Sequence, residues 1–137
     1  MTAMNNTDNQ RKELTERTEE LLGSWLYPNA QGSPTLASDE LDFFHCQYQT
    51  PDSFEEVGQY YFNELSPDRP FESHGGSVYS IGEDRKWLFR YSPPNYLAGP
   101  AASLLVTHAD ENRTISIVVV PAVEEERLVL LITFEGH

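Results

Sequence analysis

Few residues in this chain of 137 have the type and spacing that chemistry requires. The one cysteine, Cys46, adjoins His45, and consecutive residues of a strand point to opposite faces, so the two cannot bind one metal ion together. A single cysteine with scattered histidines also lacks the ligand spacing of a zinc site. Cys46 is predicted to lie inside a strand, away from the exposed turns and helix starts that stabilise a thiolate. We therefore interpret Cys46 as a core residue and predict no metal site.

Sequence motifs of the common enzyme classes are absent. The chain contains no Gly-x-Ser-x-Gly nucleophile elbow, no P-loop and no Gly-x-Gly-x-x-Gly, and the pair Gly75-Gly76 alone does not form a phosphate-binding loop. Carboxylates are numerous, but no Asp-x-Asp-x-Asp-Gly calcium loop occurs. The sequence therefore predicts a protein that is not an enzyme and that has no cofactor.

Two irregular stretches, residues 66–76 and 92–101, are where a ligand site is expected, because loops on a rigid sheet often carry the binding residues. The candidate ligand-binding residues in these loops are Arg69, Glu72, His74 and Tyr96. We expect both loops, together with residues 121–126, to lie at the end of the sheet opposite the turn at residues 50–52. A small-ligand binder or an enzyme that uses these loops is one alternative function.

The net charge of −13 comes from 22 acidic and 9 basic side chains. Phosphates and anionic lipid headgroups need a basic surface, so we expect neither nucleic acid nor membrane as a partner. Residues 39–72 carry nine acids against one base, Arg69. Solubility is the simplest explanation of such a surface. The alternative is an acidic inhibitor or chaperone-like protein that sequesters a basic protein partner.

The clearest elements are a strand at residues 41–49 and an amphipathic helix at residues 53–65, joined by the turn at residues 50–52. Ser53 and Glu56 have the spacing of a capping box, in which the two side chains satisfy free backbone donors at a helix start. Apolar residues of the helix recur at steps of three and four, which predicts one buried stripe. The stripe consists of Phe54, Val57, Tyr61 and Leu65.

Before this unit we expect a disordered lead-in at residues 1–9, a polar helix at residues 8–22 that Gly23 ends, and a linker at residues 28–38. After it, alternating patterns predict five strands that pair in chain order: 77–81, 86–91, 102–108, 114–120 and 128–134. The predicted fold is a single α+β domain, residues 10–137, with an antiparallel sheet of five or six strands. One main helix packs on a face of the sheet, and an additional helix lies at the N-terminus.

Two of these strands, residues 114–120 and 128–134, are apolar on both faces, whereas a strand with one wet face alternates. Either the two helices cover opposite faces of the sheet, or a second copy of the chain covers one face. The N-terminal helix is a weak cover because it is so polar. The pattern therefore favours a homodimer.

A further pattern lies around the first predicted strand. Tyr27-Pro28-Asn29-Ala30 precedes the strand, and residues 50–57 read Thr-Pro-Asp-Ser-Phe-Glu-Glu-Val. With these segments the chain resembles a family of small uncharacterised bacterial α+β domains, in which a Tyr-Pro-x-Ala segment is followed by a strand and a Thr-x-Asp-Ser-x-Glu-Glu-Val helix start. The resemblance implies a bacterial protein of this fold, and it brings no catalytic residues.

Residues 1–12 are polar and contain no apolar run of the kind that signal peptides have. No stretch of the sequence has the about 18 apolar residues of a membrane helix. We therefore expect a cytoplasmic protein. The function that these observations favour is a non-enzymatic binding or assembly module, and a homodimer is its expected form.

Overall fold

The computed structural model of the chain describes residues 2–38, 40–65, 70–71, 76–81, 86–92, 103–122 and 127–137. In this part of the chain two α-helices and seven β-strands follow one another: α1 (Thr2–Leu22), β1 (Gln31–Ala37), β2 (Phe43–Thr50), α2 (Phe54–Leu65), β3 (Gly76–Ile81), β4 (Lys86–Ser92), β5 (Ser103–Ala109), β6 (Arg113–Ala122) and β7 (Arg127–Gly136). One turn of 3-10 helix, Gly23–Trp25, continues directly from α1.

The seven described strands form one antiparallel sheet in the order β1-β2-β7-β6-β5-β4-β3. Strands β3 to β7 pair in chain order, as predicted, and β7 then pairs with β2. The predicted α+β class, with an antiparallel sheet, a main helix on one face and an additional N-terminal helix, is confirmed. The sheet exceeds the expected five or six strands because β1 adds to them.

Strand β1 occupies the segment that was predicted to be a linker, residues 28–38, so that prediction is wrong. Glycine, proline and serine are typical of linkers, but an edge strand tolerates them because one side of its backbone needs no partner. Gly32 is required there, since a Cβ would come within 2.1 Å of the Gln47 carbonyl oxygen. The register shifts between Pro34 and Leu36, a bulge that accommodates the missing N–H of proline.

Helix α1 begins at Thr2, so residues 2–9 are helical where a disordered lead-in was predicted. No glycine or proline occurs between Thr2 and Leu22, so no residue of this stretch breaks the helix. At the other end Gly23 has a φ of 55°, the left-handed conformation that glycine adopts readily. The predicted helix stop is therefore confirmed.

Helix α2 follows Ser53, whose Oγ accepts a hydrogen bond from the backbone N–H of Glu56 at 3.1 Å. The serine side of the predicted capping box is therefore present. Three members of the predicted stripe are buried and Phe54 is partly buried; the three are Val57, Tyr61 and Leu65. Gly58 lets the helix approach β4 closely, because a Cβ would lie 2.7 Å from Cε2 of Tyr91.

Both helices pack on the same face of the sheet, which we call the covered face. The ring of Trp25, in the turn after α1, lies 4.9 Å from the ring of His108 of β5. The Tyr61 hydroxyl of α2 donates a hydrogen bond to the Trp25 carbonyl oxygen at 2.8 Å. The alternative in which the two helices cover opposite faces is therefore wrong, and neither described helix packs on the other face.

Strand registers also decide which loops meet at each end of the sheet. Strand β7 begins where β2 ends, because Thr50 pairs with Leu128. Strand β3 begins at this same end, where Gly76 pairs with Tyr91. The described strand ends beside the connections α2–β3, β4–β5 and β6–β7 therefore lie at the end that holds the turn at residues 50–52. The prediction that these strand ends lie opposite the turn at residues 50–52 is wrong. The chain leaves the sheet at the end of β2, forms α2 and re-enters the sheet through β3 at that same end.

Candidate functional site

The four ligand-binding residues that the sequence predicted, Arg69, Glu72, His74 and Tyr96, lie outside the described residues. The strands beside their loops place the loop ends at the end of the sheet that holds the turn at residues 50–52. A role for these four side chains in ligand binding stays a prediction.

Cys46 and His45 lie on opposite faces of β2, as the alternation predicts. Cys46 is fully buried on the covered face, and burial raises the pKa of its thiol to about 12. His45 Nδ1 lies 3.2 Å from the Oγ1 of Thr133 on the other face. A buried, protonated thiol is a poor nucleophile. Across the described residues, no group of three or more His, Cys, Asp or Glu is placed to hold a metal ion.

Three tyrosines join the main helix and the turn before it to the segment after α1. They are Tyr60 and Tyr61 of α2 and Tyr27, which follows α1. The Tyr60 hydroxyl donates to the Ser24 carbonyl oxygen at 2.5 Å, and the Tyr27 hydroxyl donates to the Asp52 carboxylate. Burial raises the pKa of Tyr61 and of Tyr27, and for Tyr27 the Asp52 carboxylate adds to the increase. These hydroxyls are protonated and engaged, so the cluster stabilises the fold and does not present a general acid or base.

The second face of the sheet is a larger candidate surface, which we call the open face. It consists of the odd-numbered residues 43–49 of β2, 105–109 of β5 and 127–135 of β7, with the even-numbered residues 88–90 of β4 and 114–120 of β6. These residues are partly or fully exposed, whereas their neighbours in each strand are mostly buried. No described segment of the chain packs on the open face.

An apolar patch occupies part of the open face. Its members are Leu105, Val118, Val120, Val129 and Leu131. Leu131, Val118 and Leu105 are register partners and form one row across β7, β6 and β5. Exposed Gln47 and Arg90 end this row on β2 and β4. The row thus has the apolar centre and polar rim that protein interfaces show.

The open face carries little of the acidic charge of the chain. Its charged residues with described side chains are Arg90, Arg127 and Glu135, two positive and one negative, which gives +1 in a chain of net charge −13. Among the acidic side chains that the structure describes, all except Glu135 lie outside the open face. The open face differs from the rest of the molecule in charge as well as in hydrophobicity.

A groove of about 230 Å³ lies at one corner of the open face. Its described lining consists of Asn29, Gln31, Gln49, Thr50, Pro51, Asp52 and Arg127. Gln31 and Gln49 are register partners on β1 and β2, so their side chains stand together at the end of the sheet. Carboxamide and guanidinium groups donate hydrogen bonds, so the groove is suited to an acceptor such as a carboxylate.

No local feature of the sequence indicates this corner. Asn29 and Gln31 fell in the predicted linker, and Arg127 fell between a predicted turn and a predicted strand. Gln31, Gln49 and Arg127 come together because three strands pair, which the sequence does not display locally. The signal that could have indicated the open face is the odd-numbered series of residues 127–135, in which Arg127 and Glu135 flank apolar Val129 and Leu131.

Comparison with protein-family models, with curated proteins and with solved structures finds no match for this chain. The resemblance to small bacterial α+β domains therefore stays a prediction. Neither described helix has the length and apolar character that are needed to cross a membrane. The open face and its corner groove are the features from which a function can be inferred.

Proposed function

We propose that this protein is a non-enzymatic assembly module of the cytoplasm, and that it forms a homodimer in which the open faces of two copies pack together. The observation that carries the proposal is the apolar patch of the open face, whose members are partly exposed. Packing of a second sheet removes these leucine and valine side chains from water, which is the main driving force of association. An exposed apolar patch with a polar rim is typical of an interaction site.

Charge favours a second copy as the occupant of the open face. At a net charge of −13, two copies repel each other over most of their surfaces. The open face, with two arginines and one glutamate among its described side chains, is a surface on which this repulsion is weak. An association through this face therefore avoids most of the electrostatic cost.

The size of the open face supports a specific contact. Five strands spaced by 4.8 Å and about eight residues long present roughly 24 Å by 27 Å, or about 650 Å² per copy. Two such faces bury about 1,300 Å² together, which lies within the range of stable protein interfaces. Sheets that pack face to face in this way are common in β-sandwiches.

The substitution Leu131→Asp tests the proposal, because it puts an unpaired charge at the centre of the interface. We expect the dissociation constant of the dimer to rise at least about 100-fold, since the carboxylate must lose its hydration. Leu21→Asp is the matched control, because Leu21 is 37 % exposed and belongs to α1. Light scattering after size exclusion measures both. Dissociation of both variants, or of neither, contradicts the proposal.

A further inference from the structure

Strand β7 carries opposite charges at the two ends of the open face. Arg127 and Glu135 are both exposed, and Leu131 lies midway between them. Eight residues of a strand span about 27 Å, so the two charges cannot pair within one chain. Neither residue forms an ion pair with another described residue.

A two-fold axis can stack two open faces in two ways that keep the strands aligned. An axis parallel to β7 sets Arg127 of one copy opposite Arg127 of the other. An axis that crosses the strands above Leu131 sets Arg127 of each copy opposite Glu135 of the other. Opposite charges attract and like charges repel, so the charges on β7 select the second arrangement.

The residues beneath this second axis form a suitable centre for the contact. The axis runs along the row in which Leu131, Val118 and Leu105 are register partners. Each of these apolar side chains therefore faces the identical side chain of the second copy. Packed sheets are rotated by about 30°, which displaces the ends of β7 sideways by about 7 Å. The long side chains of Arg127 and Glu135 can span this displacement.

The corner groove offers the groups that a carboxylate needs. Asn29, Gln31, Gln49 and Arg127 provide N–H donors, and none of these side chains donates to another described residue. The one acid of the described lining, Asp52, already accepts the Tyr27 hydroxyl.

We infer that the groove is a carboxylate-binding site that Glu135 of a second copy fills in the homodimer, an inference that rests on the proposed function. Arg127 then pairs with the carboxylate, and the carboxamides of Gln31 and Gln49 donate hydrogen bonds to it. Each dimer contains two such contacts because the interface is symmetric. The contacts specify the antiparallel arrangement of the two β7 strands.

Charge reversal tests this inference through a mixture of two variants. Arg127→Glu alone and Glu135→Arg alone each replace both opposite-charge contacts by like-charge contacts, so we expect each to raise the dissociation constant at least about tenfold. An equimolar mixture restores both contacts in a heterodimer, whose dissociation constant should return to within about threefold of the unmodified value. Sedimentation equilibrium at low salt measures all three.

Two controls, Arg90→Glu and Gln59→Glu, separate pairing from a general effect of charge, and Gln49→Glu tests the groove itself. Arg90→Glu makes the same change on the same face. Arg90 is the register partner of Leu105 and therefore faces Arg90 of the second copy, so like charges face each other before and after the change and we expect less than about a threefold effect. Gln49→Glu places a carboxylate in the groove and is expected to weaken the dimer about fivefold or more. Gln59→Glu, on the exposed side of α2, should leave the dimer unchanged.

The inference is overturned if the mixture fails to dimerise, or if Arg90→Glu weakens the dimer as much as Arg127→Glu does. If Leu131→Asp dissociates the dimer but neither reversal weakens it, the inference fails while the proposed function stands. If the unmodified chain is a monomer, both the inference and the proposed function fail. Should a reversal lower the thermal stability, Arg127→Gln and Glu135→Gln remove the charges without reversing them and are expected to weaken the dimer in the same way.

Discussion

The backbone of Gly58 in α2 lies against the ring of Tyr91 in β4. A Cβ at Gly58 would come within 2.7 Å of Cε2 and 2.8 Å of Cδ2 of that ring. The absent side chain therefore determines how closely the main helix packs on the covered face. Tyr61 and Phe62, which follow on the next turn of α2, are buried by the same approach.

Gly58→Ala is expected to lower the free energy of unfolding by about 2 kcal/mol, although alanine favours helix over glycine by about 1 kcal/mol. The added methyl overlaps the ring of Tyr91, and that ring cannot move freely because Phe54 and Phe71 pack on it at 4.9 Å and 5.1 Å. Urea denaturation measures the change. In a chain that also carries Tyr91→Leu, the destabilisation by Gly58→Ala should disappear, and the helix preference of alanine should make the change neutral or stabilising by up to about 1 kcal/mol. Simple additivity would contradict this packing.

Stability is expected to decrease between about pH 8.5 and 10 because of Cys46. Burial raises the pKa of its thiol to about 12, whereas a thiol of the unfolded chain has a pKa of about 8.5. Below pH 8.5 both states bind the proton, and the stabilising contribution is complete. Above it the unfolded state loses a proton that the folded state keeps, so the free energy of unfolding falls by up to about 1.4 kcal/mol per pH unit.

Cys46→Ala isolates this effect. The variant is less stable at pH 7 because a buried side chain is shortened, but its stability should change less between pH 8.5 and 9.5 than that of the unmodified chain. Chemical denaturation at several pH values gives the slope of the free energy of unfolding against pH for each of the two proteins. Equal slopes would show that the Cys46 thiol does not remain protonated in the folded state.

Tyr61→Phe is expected to destabilise the fold more than Tyr60→Phe does. The first change removes a buried hydrogen bond and leaves the Trp25 carbonyl oxygen without this donor, at a cost of about 1–2 kcal/mol. The second removes an exposed hydrogen bond to the Ser24 carbonyl oxygen, which water can replace, so the cost is below about 0.5 kcal/mol. Urea denaturation compares the two, and equal losses would refute the assignment of Tyr61 as the buried contact.

The elements that could be predicted from the sequence are those whose determinants are local. Ser53 caps α2 by accepting the backbone N–H of Glu56, and the spacing of Val57, Tyr61 and Leu65 gives the buried side of the helix. That helix therefore needs no other part of the chain to be identified. Strand β1 could not be predicted in this way. It becomes a strand by pairing with β2, and its glycine and proline are typical of linkers until that neighbour is present.

The ends of the sheet and the corner groove depend on contacts between distant parts of the chain. Nothing near α2 indicates that Gly76 re-enters the sheet at the end where Thr50 left it. The groove combines Gln31, Gln49 and Arg127 from three strands, so no single segment reveals it. The apolar character of both faces of β6 and β7 is local, and it led to the expectation of a second copy.

Sedimentation equilibrium of the unmodified chain, from about 1 to 100 μM, tests the homodimer most directly. We predict that the mass rises with concentration from the chain mass of 15.6 kDa to twice that value and then stays constant. A constant mass of 15.6 kDa over the whole range would contradict the packing of two open faces.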